Sequence, residues 1–269
     1  EDKDQPHSIL GLSSEADWIL HAPYSDKTLM RNHLMYQWSN EIGRYASRTR
    51  FVEVYMDYQA DGIDAEDYRG VYVVMEKIEQ GKNRVDIEKL SSSDATEPEV
   101  TGGYLLKKDW IEGGPKTFVE TDRYGDILVH VDPSSDDITS SQKEWLRQYL
   151  NDFEDALAKG DGSYDQYIDV DSFIDHHLLV ELGRNVDGYV LSTYLHKDRN
   201  GLLNMGPIWD YNGALGNADY FEAWETDGWH FNNSEFPADN PWAFRWYARL
   251  LDDASFRARR AARWAELRQ

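Results

Sequence analysis

Three features of the 269-residue sequence predict an α+β fold. Apolar residues recur at helical spacing over residues 26–42 and 141–159. Between them lie short runs rich in Val, Ile, Leu and Tyr, which read as strands. Aromatic residues are plentiful (10 Trp, 17 Tyr and 9 Phe), enough to build a substantial core. The length suits one large domain or two lobes that share an interface.

The first helix is expected over 26–42. Ser25 is its candidate cap, Met30, Leu34, Trp38 and Ile42 form its stripe, and Gly43 is its stop. Strands are expected at 51–56 and 71–78, joined by the acidic loop 57–69. The polar stretch 91–99 reads as a flexible connection. Short strands follow at 103–107, 117–120 and 127–131. Ser141 with Glu144 reads as a capping box for helix 141–159, and Gly160 ends it. A further helix is expected at 172–184, with Phe173, Ile174, His177, Leu178 and Leu182 inward. The tail 242–269 reads as one helix carrying Arg257, Arg259, Arg260 and Arg263. Its bland reading is a solvated basic face, and its functional reading is a phosphate-binding one.

With 50 acidic and 28 basic residues the formal net charge is −22. That argues against a nucleic-acid-binding role, which needs clustered Lys and Arg. No stretch free of Asp, Glu, Lys and Arg exceeds 10 residues, so no membrane span is expected. The chain has no Cys, which excludes disulfides, thiol catalysis and Cys-ligated metals. The eight His show no zinc spacing, and residues 161–172 fail as an EF-hand because Gln166 and Ser172 replace the Gly and Glu that it needs. The acidity fits either salt tolerance or attraction of basic or metal-bound ligands.

Tyr189, Leu191, Thr193 and Leu195 alternate as in a strand, Asp198-Arg199-Asn200-Gly201 forms a turn, and 202–209 returns to Asp210. If the turn closes with Asp198 facing Leu202, Asp210 falls opposite Val190, and Asp187 emerges at the same end. Alternation puts Trp209 and Tyr211 on the face opposite Asp210. Two carboxylates so placed can hold Mg²⁺ through one member and orient a hydroxyl nucleophile through the other. The same pattern also fits two turn aspartates.

Several stretches resemble the CotH kinase family, the spore-coat-protein-H-like proteins. They are Asp17–Lys27, Met30-Arg31-Asn32, Arg48–Val54, Tyr68-Arg69-Gly70-Val71-Tyr72, Glu76-Lys77-Ile78, Lys82–Ile87 and Gly102–Lys107. Asn185-Val186-Asp187-Gly188, Lys197-Asp198-Arg199, Met205–Asn212 and Gly216-Asn217 complete the set. The resemblance implies an atypical protein-kinase-like, two-lobed fold in one domain. Residues 1–78 would form the N-lobe, with helix 26–42, and residues 79–269 the C-lobe, with the catalytic hairpin 185–212. The family has an upstream segment expected to supply a phosphate-binding Lys, and this sequence begins after it, so the N-lobe is expected to be incomplete.

The implied activity is transfer of phosphate from ATP, with Mg²⁺ or Mn²⁺, to Ser/Thr of a coat, secreted or surface protein. A basic, Ser-containing acceptor suits the charge, and an extracellular, surface or coat location goes with it. The resemblance makes Asp187 the catalytic aspartate and Asp210 the metal-binding one, with Asn185 and Asn212 as further oxygen donors. It places nucleotide contacts at Glu76, Lys77 and Ile78, where an interlobe hinge would meet adenine, and at Arg31, Arg84 and Lys107. Gly213 and Leu215 depart from the pattern that the family has after Asp210. The rival reading is a non-catalytic surface or adhesion module, or a carbohydrate-associated one using Trp224, Trp229, Trp242 and Trp246.

Overall fold

The computed structural model describes residues 5–114, 117–231 and 244–269, and in it the chain builds two antiparallel sheets. Strands β1 (Trp18–His21), β2 (Thr49–Tyr55) and β3 (Tyr68–Glu76) form a three-stranded sheet in the order β1-β3-β2. Strands β4 (Tyr104–Lys108), β5 (Phe118–Glu120), β6 (Ile127–Asp132), β7 (Thr193–Lys197) and β8 (Leu203–Met205) form a five-stranded sheet in the order β5-β6-β4-β7-β8. Among the described residues five α-helices complete the fold: α1 (Arg31–Glu41), α2 (Ser140–Lys159), α3 (Val170–Gly183), α4 (Arg245–Asp252) and α5 (Ala254–Leu267). The α+β class is therefore correct.

Helix α1 is shorter than expected. The Asp26 carboxylate accepts the backbone N–H of Thr28 (3.0 Å) and of Arg31 (2.9 Å), which holds residues 26–30 as a turn. Its buried face carries Asn32, Met35, Tyr36 and Ser39, a different stripe from the predicted one. Helix α2 is capped by Thr139 with Gln142, not by Ser141 with Glu144. Gln142 also donates to the carbonyls of Ser91 (2.6 Å) and Asp94 (3.1 Å). The polar 91–99 segment is thus tied to α2 instead of running free. Helix α3 starts two residues earlier than expected, because the Asp169 carboxylate accepts Ser172 N–H. Leu182 is exposed, not inward. The tail forms two helices because Asp253, in extended backbone, caps the second through Phe256 N–H. Trp242 lies outside the described residues.

The main core joins the five-stranded sheet to α2, α3 and α4. Leu106, Leu128 and Leu195 of the sheet meet Leu146, Leu150 and Phe153 of α2, Phe173 of α3 and Trp246 of α4. Trp246 is therefore core, whereas Trp224 and Trp229 are about half exposed. A second cluster packs Met35 and Tyr36 of α1 between Met75 of β3 and Leu179, Ile208 and Tyr211. It holds the Asp210 segment against α1. The basic face of α5 is paired across to α3, Arg259 with Asp171 and Arg263 with Asp175, each at 2.7 Å. No described helix is long and apolar enough to cross a membrane.

Candidate active site

Asp187 follows α3, whose left-handed cap at Arg184 turns the chain into the Asn185-Val186-Asp187-Gly188 loop. The loop curls on itself, and the Asp187 carbonyl accepts the N–H groups of Val190 and Leu191, both at 2.8 Å. Gly188 is required there, because a Cβ would lie 2.6 Å from Val180 of α3. The Gly188 carbonyl accepts from His176 Nε2 (3.0 Å) and Thr193 Oγ1 (3.1 Å). Helix α3 therefore fixes the loop from below.

The hairpin keeps the expected register, pairing Lys197 with Leu203 and His196 with Asn204. Its ladder stops at Leu195 and Met205, so Asp210 does not face Val190 across a strand as predicted. Residues 187–192 turn because Tyr189 is drawn into the core, where its hydroxyl donates to Glu181 (2.7 Å). Helix α1 seats the other aspartate. Asp210 N–H donates to Tyr36 Oη (3.0 Å) and Tyr211 N–H to Asn32 Oδ1 (2.6 Å). Tyr211 is buried and Trp209 stacks against Tyr36 at 5.9 Å, so both flanking rings pack inward. Asp210 lies at φ 59°, a left-handed conformation that Asp tolerates better than most residues and that recurs at functional sites.

Asn185 joins the two loops. Its side chain accepts Asp187 N–H (3.3 Å) and donates to the Asp210 carbonyl (3.4 Å). Its oxygen is thereby engaged with backbone. Asn212 is half-buried beside Asp210, and its carbonyl accepts from Asn217. Among the described residues, neither the Asp187 nor the Asp210 carboxylate has a hydrogen-bond or ion-pair partner. Burial raises the Asp187 pKa first, and the charges of Asp210 and Asp109 raise it further. Burial and Asp109 raise Asp210 in the same way. Both aspartates also push up the Tyr220 hydroxyl, after burial. Three carboxylates from three segments thus share one electrostatic neighbourhood.

The sequence reading missed Asp109, Tyr36, Asn32 and Tyr220. Asn32 and Tyr36 stand four apart on α1, and a polar residue on a buried helical face was the available signal. Asp109 gave none, because only pairing of β4 with β7 brings it near the hairpin.

The predicted nucleotide contacts are dispersed. Lys107 reaches the site, donating to Asp109 at 2.8 Å. Arg31 pairs with Asp26 and reaches the Leu215 carbonyl at 3.4 Å. Glu76 is fully buried and receives Arg84 (2.7 Å), Arg48 (2.6 Å) and the Tyr45 hydroxyl (3.2 Å). Arg84 is buried with it, under Trp18, so this pair is spent on structure and not offered to solvent. Lys77 is exposed and paired with Asp17. Ile78 packs with Val85, Ile87 and Leu105, against partly buried Trp209 beside Asp210.

A family model described as CotH kinase protein matches residues 1–269, the whole chain. The chain belongs to the CotH kinase family. A search of the curated proteins finds no match. In this CotH kinase family member the quoted Asn-Val-Asp-Gly and Asp-Tyr-Asn stretches are the two loops that α3 and α1 hold, and Asn185 bridges them.

Proposed function

We propose that this CotH-family chain transfers the γ-phosphoryl group of ATP to Ser or Thr hydroxyls of a coat, secreted or surface protein. The observation behind this reading is a pair of half-buried, unpartnered carboxylates on two loops joined by Asn185. Acids with raised pKa values and no paired cation, brought together from separate loops, are the pattern of a functional site.

Asp210 with Asn212 offers hard oxygen donors, which suit Mg²⁺ or Mn²⁺. Mg²⁺ commonly takes only one or two carboxylates besides nucleotide phosphates. When bound, the ion would neutralise charge on the β- and γ-phosphate oxygens. Asp187 accepts the acceptor's hydroxyl proton as the hydroxyl oxygen bonds to the γ-phosphorus. The bond to the bridging oxygen breaks, and its electron pair leaves on ADP. The raised Asp187 pKa brings the carboxylate closer to the working pH of a general base.

The test is calorimetry with ATP, with and without Mg²⁺, together with phosphate transfer to a Ser-rich basic polypeptide. Asp210→Asn should remove the Mg²⁺ dependence of ATP binding. Asp187→Asn should keep binding and lower transfer by about 10²–10⁴-fold. Unaltered transfer in Asp187→Asn would sink the assignment. Nucleotide binding with no transfer by the unaltered chain would leave a non-catalytic module that keeps the fold.

A further inference from the structure

A cavity of about 550 Å³ opens beside Asp187, which forms part of its wall. Trp110 and Ile111 line one side and are 70% and 44% exposed. Ile127, Val190, Leu191 and Phe221 also line it, so the walls are mainly apolar. The volume exceeds one side chain and lies in the range of ligand pockets, roughly 300–1,000 Å³. Asp109 and Asp187 supply negative charge at the wall. Lys108, the cation among the described lining residues, is held by Asp126 at 2.6 Å and sits over the Phe244 ring. Asp210 is not part of this lining.

We infer that this cavity receives the acceptor polypeptide, taking an apolar side chain, Leu- or Phe-sized, next to the Ser or Thr to be phosphorylated. This rests on the reading of Asp187 as the hydroxyl's base. An occupant lying along Asp187 lies where the hydroxyl must be delivered. A nucleotide here would set its phosphates against Asp109 and Asp187, away from Asp210, the carboxylate read as the metal holder, which lies outside this lining. An apolar side chain flanked by neutral or basic residues meets both the walls and the charge. The −22 net charge alone suggested only a basic acceptor. The cavity adds an apolar determinant beside the hydroxyl.

The probes are short peptides with one central Ser in a Gly/Lys background. Leu, Phe, Gly or Asp is placed at each neighbouring position. Phosphate transfer is measured on these. Fluorescein-labelled versions with Ala for Ser report binding by anisotropy, without ATP. At the best position Leu or Phe should exceed Gly by about tenfold, since burying such a side chain is worth at least that factor. Asp should be the worst. Trp110→Ala and Ile111→Ser, at exposed positions and checked by circular dichroism, should erase most of the preference. Transfer without apolar preference, or a preference that both variants keep, overturns the inference and leaves the kinase reading standing. Apolar-selective binding that the variants lose, with no transfer to any peptide, supports the cavity's role and removes the kinase reading. Loss of Mg²⁺-ATP affinity in Trp110→Ala with peptide selectivity intact would assign the cavity to the nucleotide and overturn the inference.

Discussion

Asp109 reaches the site only through the fold, and it offers a test at the scale of one residue. Its charge pushes up the pKa of both Asp187 and Asp210, behind burial in each case and, for Asp187, behind Asp210 as well. The proposed transfer needs both in the ionised form, so on that reading protonation sets the acid limb of the pH–rate profile. Asp109→Asn removes a neighbouring negative charge, and removal lowers both pKa values. It also frees Lys107, now bound to Asp109 at 2.8 Å, which acts in the same direction. The acid limb should therefore move to lower pH, with the plateau rate little changed. A limb that stays in place or moves upward would show that Asp109 does not couple to the reacting pair. Glu76 and Arg84 teach the opposite lesson. Read along the chain they are charges near a hinge, but in the fold they neutralise one another in a buried cluster with Arg48 and Tyr45.

At the scale of elements, α3 holds the Asp187 loop through His176, and this makes loop and stability pH-dependent together. Burial lowers the His176 pKa to about 4. His177 falls to about 3, through burial and then the nearby Arg260. The unfolded chain therefore binds more protons than the folded one between about pH 6.5 and 4. The sign follows: their contribution is complete above pH 6.5 and is lost as pH falls toward 4. Each contributes up to about 1.4 kcal/mol per pH unit in that window. Asp187, Asp210 and Glu181 have raised pKa values and act in the opposite sense, so the comparison must be with a variant. His176→Gln can still donate to the Gly188 carbonyl but cannot be protonated. Urea denaturation from pH 7 to 4.5 should give a flatter slope for it, and equal slopes would clear His176. Much at this scale was legible in the sequence. Most of the strands, though not β1, the Gly160 stop of α2 and the hairpin register came from local chemistry: β-branched runs, a left-handed glycine and an Asp-Arg-Asn-Gly turn. What was not legible depended on partners far away in sequence. Asp26 delayed α1 by reaching ahead to Arg31, Gln142 tied down residues 91–99, and Tyr189 left its strand pattern for Glu181. The two aspartates were named through family resemblance, since spacing alone also fits turn residues.

For the whole molecule the dominant quantity is the charge of −22. Many of the basic residues are already committed to pairs that join elements: Arg44 and Arg263 to Asp175, Arg147 to Asp122, Arg123 to Asp155. Acids still outnumber bases by 22, and repulsion among exposed like charges lowers the stability of the compact state. Salt acts unequally on the two classes. Added ions screen exposed charges more than about a Debye length apart, roughly 10 Å at 0.1 M and 3 Å at 1 M. They barely reach Asp175, whose side chain is 2% exposed, or the Glu76–Arg84 pair, which is fully buried. Exposed pairs such as Arg123–Asp155 weaken, but each is worth only about 0–1 kcal/mol. Relief of repulsion should therefore win, and the melting temperature should rise over the first molar of NaCl. Potassium chloride should act alike, because the effect is screening and not a bound ion. A flat or falling melting temperature would mean that the surplus acids are not repelling one another in the free protein. Their charge would then be kept for a basic partner, and added polylysine, not salt, should raise the melting temperature.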